Sequence, residues 1–342
     1  MKLKVLQVDT FTAYEAMDVW GISKAYEKRC IIKKYNYRRV ALCLGIPLMN
    51  ILLYYYAVWF KPDFIHLGKC EIIKGKTIKK IKNKINTKII HFYGDMRQEL
   101  QKHVVDIGKY ADITLLHHKD KNIIDQYKNA GVKKIGFWWM GADPDIFKPM
   151  EVKQKEYDVV YFANNSDFLP GHEERRKLIK AIADSGIDIH LFGNNWDIFK
   201  NHQNIHLHGF VQQEKFAKAC SKAKITLGYN AVNNVYFYAS WKRPFGCMSC
   251  GAFHLTVYFP GLDEVFINKK HLVWFHSIKE SVDLIRYYLG NDEEREKIAK
   301  CGMEAVHRNH TWDARIDEMV AIYESLGQRT RFKDYFSRSY EN

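Results

Sequence analysis

Short apolar runs alternate with helical stretches along nearly the whole chain, and that alternation leaves few folds open. A strand, a helix and a further strand in succession close by a right-handed crossover into a parallel sheet with helices on both faces. In the first half the strand-like runs fall at residues 3–8 (LKVLQV), 30–37, 64–67, 88–92 (KIIHF), 111–116 and 134–139. In the second they fall at 157–163 (YDVVYFA), 188–192, 205–207, 224–229 and 252–256, with helices expected over 172–185 and 213–221. A chain of 342 residues is long enough for two cores of roughly 150 residues each. The Gly- and Pro-bearing segment MGADPDIFKP at 140–149 is the natural linker. The expectation is an α/β protein of two Rossmann-like domains, 1–150 and 151–322, whose parallel sheets face a central cleft, with 323–342 a tail packing back on the first domain.

With 47% apolar and 27% charged residues the composition is that of a globular protein and excludes a disordered one. The formal charge of +14 is one-sided: residues 1–150 carry 27 Lys+Arg against 14 Asp+Glu, the rest 26 against 25. A positive field confined to one half draws anionic partners such as DNA, teichoic-type polymers or phospholipid headgroups, or is a lysine-rich solvated surface. Seven cysteines without a regular spacing read as reduced thiols in a cytoplasmic setting, and no secretory leader is expected at the N-terminus. Residues 40–60 carry no charge and contain Gly45, Pro47 and Asn50. A buried or partly interfacial helix is expected there in preference to an integral span.

The chemistry is concentrated in KRPFGCMSCGAFHLTVYFPGLDEVF, residues 242–266. A cation pair, Lys242 and Arg243, opens a short helix of small residues that ends at Gly251. Amides at a helix start, with two cations beside them, can neutralise a departing diphosphate without a metal. Cys247 and Cys250 have C-x-x-C spacing but no second pair, so packing is expected before zinc. Asp143 and Asp145 form an Asp-x-Asp in the linker, where no metal is expected. On the first half, Asp95 follows Gly94 at a strand end and is the candidate catalytic or acceptor-positioning group. Capping the next helix is the competing role. His91, the second choice, and Asp9, at the end of the first strand, are candidate acceptor contacts, with a core position the alternative for His91.

The block resembles the C-terminal donor-binding domain of group-one GT-B glycosyltransferases, and particularly the CgeB-like spore-maturation branch. The residues that carry the likeness are Arg243 and Phe245, Ser249 to Thr256, and Pro260 to Phe266. They continue through LIRYYL at 284–289, DEEREKIAKCG at 292–302, and His310, Thr311, Trp312 and Arg315. YDVVYFANNS and ADPDIFKP also match, so the likeness spans most of residues 140–325. It implies a GT-B fold and sugar transfer from a nucleotide sugar, UDP-linked by default, with no separate cofactor and with retention as the default stereochemistry. Lys242 and Arg243 would stabilise the leaving diphosphate. Asn164, Asn165, Ser166, Arg175 and Arg176 would reach the diphosphate or sugar, Phe210 and Val211 would seat the base, and Gly251 and Glu264 complete the donor site. One departure stands out: where the family's helix carries a ribose-binding glutamate, this chain has Gly246. Glu264 or Asp263 would then have to take over, or the chain is a catalytically silent module that binds nucleic acid or another anionic polymer. The basic half points to an anionic acceptor, a hydroxymethylated pyrimidine in DNA or a surface polysaccharide.

Overall fold

The computed structural model describes residues 2–11, 16–94, 99–117, 119–166, 171–229, 231–232, 235–236, 242–259 and 261–327. The chain divides into two compact units, Met1–Met140 with Trp312–Asn342, and Gly141–Thr311.

The first unit runs β1 (Lys4–Asp9), α1 (Ala16–Arg29), β2 (Ile31–Asn36), α2 (Tyr37–Phe60), β3 (Phe64–Leu67), α3 (Gly75–Lys84), β4 (Lys88–Tyr93), α4 (Lys102–Gly108), β5 (Ile113–Leu116), α5 (Lys121–Asn129) and β6 (Ile135–Phe137). Its six strands form one parallel sheet in the order β2-β1-β3-β4-β5-β6. The second unit runs β7 (Tyr157–Phe162), α6 (His172–Asp184), β8 (Ile189–Phe192), β9 (Ile205–Leu207), α7 (Gln213–Lys222), β10 (Ala223–Gly228), the two-residue strands β11 (Ala231–Val232) and β12 (Val235–Tyr236), α8 (Lys242–Ser249), β13 (His254–Val257), β14 (Val273–Phe275), α9 (Ile278–Gly290) and α10 (Asp292–Asn309). Its main sheet is also parallel, in the order β14-β13-β10-β7-β8-β9. Each sheet reverses its strand order once, between β1 and β3 and between β7 and β10. In open α/β sheets ligands bind outside the carboxyl ends of the strands at that switch point.

Local signals set the helix starts. Ser277 accepts from the Glu280 amide while the Glu280 carboxylate accepts from the His276 amide, a reciprocal cap at the head of α9. Asp120 and Asn36 cap α5 and α2 in the same sense. The last helix, α11 (Trp312–Ser325), returns to the first unit. It buries Trp312, Ile316, Met319 and Ile322 against Val5, Phe64 and Trp138, and the Trp138 indole donates to the Arg315 carbonyl at 3.2 Å. Gly21 on α1 makes room for it: a Cβ there would sit 2.3 Å from the Trp312 ring.

Helix α2 departs from an ordinary core helix. Gly45 (φ 80°, ψ 160°) breaks it, and Pro47 starts a second segment in which Met49, Leu53, Ala57 and Phe60 are buried. Burial is therefore restricted to one face, and the opposite face is apolar and exposed.

Candidate functional site

In the second unit the residues after β7 and β8 lock together. The Asn164 side-chain oxygen accepts from the Asn194 amide at 2.9 Å, and the Asn165 amide donates to the Asn194 carbonyl at 2.9 Å. Trp196 donates its indole N–H to the Ala163 carbonyl at 2.7 Å. Gly193 is required at this junction, because a Cβ there would lie 1.8 Å from the Ala163 carbonyl oxygen. Arg176, on α6, donates one guanidinium nitrogen to the Asn165 side chain at 3.1 Å and to the Ser166 carbonyl at 3.2 Å. Arg175 donates to the Asn164 carbonyl at 3.3 Å.

Beside this loop two arginines meet one ring. Tyr161, near the end of β7 and fully buried, has the guanidinium carbon of Arg175 5.8 Å from its centroid and that of Arg243 at 6.0 Å. Arg175 comes from the first turn of α6 and Arg243 from the first turn of α8. Both helices thus deliver a cation to the carboxyl end of the strand at the switch point. Pro244 is tolerated in the first turn of α8, where a backbone N–H lacks an intrahelical partner. Burial is the main influence lowering the Arg243 pKa; Tyr161 acts against it and Arg175 with it. Two cations held beside a helix N-terminus have the chemistry to neutralise an anion.

In the first unit Asp9 ends β1 at the switch point, almost buried, and accepts from the Thr10 amide at 2.8 Å. Gly68, after β3, lies against its carboxylate: a Cβ at 68 would come within 2.2 Å of an Asp9 oxygen. His91, on β4, is fully buried and its pKa is pushed down to about 3, first by burial and then by His103, so the ring is neutral. Neither ring nitrogen of His91 has a hydrogen-bond partner among the described residues. Asp95, expected as the polar group of this half, lies outside the described residues.

Residues 174–321 match the family model described as Glycosyl transferase-like. No curated protein matches the sequence. Solved structures match over almost the entire chain. Sucrose-phosphate synthase from Thermosynechococcus elongatus is 13% identical, with 95% of this chain and 99% of that chain covered and a TM-score of 0.68. HepE from Anabaena, solved in complex with UDP-glucose, is 12% identical, with 94% and 100% covered and a TM-score of 0.66. A glycosyltransferase from Rickettsia africae is 12% identical, with 96% and 100% covered and a TM-score of 0.66.

The fold is GT-B.

Within the GT-B second unit the structure gathers Asn164, Asn165, Ser166, Arg175, Arg176 and Arg243 around the ends of β7 and β8. Lys242 opens α8, and its side chain lies outside the described atoms. Gly251 is not part of this gathering. It follows α8 in a left-handed conformation (φ 70°), its amide donating to the Met248 carbonyl at 2.9 Å. That places it at the opposite end of an eight-residue helix, about 12 Å from the N-terminus that carries Arg243. Its role is to end the helix. Phe210 is exposed, while Val211 packs against the core cluster that holds Phe162 and Cys247. Asp263 and Glu264 are exposed on the turn after β13, which Phe266 ties to α8 through Phe245, ring centroids 5.8 Å apart.

Gly246 is buried, and a Cβ there would meet Phe216 at 3.5 Å and Phe147 at 3.6 Å. The position therefore looks onto an edge-to-face aromatic pair, 5.5 Å between centroids, with room for a methyl group. Cys247 and Cys250 are buried in the core with Cys220, the sulfurs of 220 and 247 lying 3.9 Å apart. Asp143 forms a turn, its carboxylate accepting from the Asp145 amide at 3.0 Å. Among the described residues no group of three or more His, Cys, Asp or Glu is arranged to hold a metal. Tyr161 and Gly193 were not singled out in the sequence. A glycine directly after the neighbouring strand is the signal that could have found Gly193, whereas Tyr161, in a strand that also carries Tyr157 and Phe162, offers none.

Proposed function

We propose that the protein is a glycosyltransferase that moves a sugar from a nucleotide-activated donor, UDP-linked, to an acceptor hydroxyl. The observation that carries this reading is the pair Arg175 and Arg243 over Tyr161, at the switch point of the sheet that overlaps the matched glycosyl transferase-like segment. Fixed cations in a partly desolvated site stabilise the charge that develops on a departing diphosphate, and they need no reorganisation as the bond breaks. Arg176 and the Asn164–Ser166 loop would position the sugar or diphosphate, with Phe210 and Val211 near the base. Asp9, Asp95 and His91 would handle the acceptor. The reaction is proposed to be metal-independent and retaining, with the nucleotide sugar as substrate and no further cofactor. A cytoplasmic location is proposed from the free cysteines.

The acceptor we propose is anionic, a hydroxymethylated pyrimidine in DNA or a surface polysaccharide, because the excess of cations lies in residues 1–150. A panel of nucleotide sugars, scored by thermal shift and by donor hydrolysis, tests the reading. Stabilisation and slow hydrolysis with one donor supports it.

Gly246 favours a second reading, a catalytically silent GT-B module that binds an anionic polymer. Its neighbours are aromatic where a ribose-binding carboxylate would be needed. Tight DNA binding with no response to any nucleotide would decide for it.

A further inference from the structure

The outer face of α2 has a composition that a water-facing helix does not have. The inner stripe, Met49, Leu53, Ala57 and Phe60, packs with Leu6, Val8, Ile65 and Leu67 of the sheet. The opposite face carries Leu48, Ile51, Leu52, Tyr55 and Trp59, and every residue from 42 to 48 is exposed. Leu42 is 88% exposed, Tyr55 63% and Trp59 67%. A helix on the surface of a globular domain carries polar residues on its outer side, and a large contiguous apolar patch marks a binding surface. Here the kink at Gly45 pushes Leu42, Leu44, Ile46 and Leu48 outward as an apolar knob.

The charges around the patch identify what covers it. Residues 28–62 contain seven Lys and Arg and no Asp or Glu. Arg38 is paired with Glu71 and Lys34 with Glu27, and Lys28 and Arg29 are paired with Asp313. Arg39 in the first turn of α2, Lys61 at its C-cap and Lys33 are exposed, and they enter no ion pair among the described residues. The Lys33 ammonium lies 5.9 Å from the Trp59 ring, so one of these cations borders the apolar face itself. An apolar stripe with Tyr and Trp at one end and cations around it matches the headgroup boundary of an anionic bilayer.

We infer that α2 docks the first unit on an anionic membrane surface, lying in the interface with its outer face inserted, and that it does not span the bilayer. Spanning would require pulling the inner stripe from the core. It would also break the Asn50 bonds to the Ile72 carbonyl at 3.2 Å, the Lys74 amide at 2.9 Å and the Thr77 hydroxyl at 2.9 Å.

The test is flotation of the full chain with vesicles of phosphatidylcholine containing about one third phosphatidylglycerol, against pure phosphatidylcholine vesicles. The wild-type protein should float with the anionic vesicles, and release into about 1 M salt or alkaline carbonate should be complete. L42S/L44S/I46S changes only exposed side chains, so it keeps the fold by circular dichroism, and it should bind at least about tenfold more weakly. R39Q/K61Q should lose roughly fivefold per cation on anionic vesicles. Four results would each overturn the inference: no flotation of the wild type, flotation unchanged in both variants, resistance to carbonate extraction, or a vesicle-free dimer by light scattering that the triple variant disperses. The last would assign the face to a second copy of the chain.

Discussion

Arg175 and Arg243 share one aromatic neighbour, their guanidinium carbons lying 5.8 and 6.0 Å from the centre of the Tyr161 ring. Like charges brought together at low exposure raise the energy of the empty site, and a bound dianion removes that cost. Replacing Arg243 with Met should therefore weaken UDP binding by about 10- to 100-fold, the loss of one or two charge-assisted bonds. Its stability to urea should be unchanged or slightly higher. Calorimetric titration with UDP, paired with urea denaturation, checks both halves.

Gly193 and Gly290 should respond to alanine in opposite ways. At 193 the new Cβ meets the Ala163 carbonyl oxygen at 1.8 Å, a backbone atom that cannot move without separating the ends of β7 and β8. Gly193→Ala should cost about 2–4 kcal/mol and disturb the Asn164–Asn194 bond. Gly290, on α9 with nothing within 4 Å of the added atom, should gain up to about 1 kcal/mol on substitution. Urea midpoints of the two variants decide.

The parallel sheets were legible because their strands are continuous apolar runs, such as YDVVYF and KIIHF, bounded by turn residues. The order of those strands was not, since it depends on which crossovers pack rather than on any local pattern. Val273–Phe275 was missed because its short apolar run lies between His271 and His276 without the Gly or Pro punctuation that marks strand ends. Arg243 was readable from the 242–266 block, and Arg175 from its nearness in sequence to the first strand of the second unit. Their common ring was not, because Tyr161 looks like any core residue in sequence. The place of Gly251 was not legible for a related reason: a glycine after small residues reads equally well as a phosphate approach or as a helix end, and its left-handed φ belongs to the helix end.

Acid should destabilise the first unit through two buried histidines. Burial pushes His66 down to about 4 and, with His103, His91 down to about 3. Both are neutral in the folded state, whereas in the unfolded chain they take up protons below about pH 6.5. The stability present above that pH is therefore lost progressively as pH falls from about 6.5 toward 4–3, with a slope of up to about 2.7 kcal/mol per pH unit for two protons. His91→Asn should reduce the slope between pH 6 and 5 by up to about 1.4 kcal/mol per pH unit, one proton's share, as read from urea denaturation at stepped pH.

Arg315 holds α11 to the chain before the second unit. Its Nε donates to the Met140 carbonyl at 2.9 Å, its Nη1 pairs with Glu318, and it is 2% exposed. Arg315→Met should cost about 2–4 kcal/mol by leaving these acceptors unpaired. Trp312→Ala should cost about 3–5 kcal/mol through the cavity beside Gly21 and Trp138. Denaturation followed by intrinsic tryptophan fluorescence reports both.

The most direct measurement is a calorimetric titration of UDP into the wild-type protein and into Arg175→Met/Arg243→Met, with circular dichroism confirming that both are folded. One-to-one binding by the wild type, weakened at least about 100-fold in the double variant, is the predicted result. No heat from UDP or any other nucleoside diphosphate with the folded wild type, or equal affinity in the double variant, would contradict a donor site built on these two arginines.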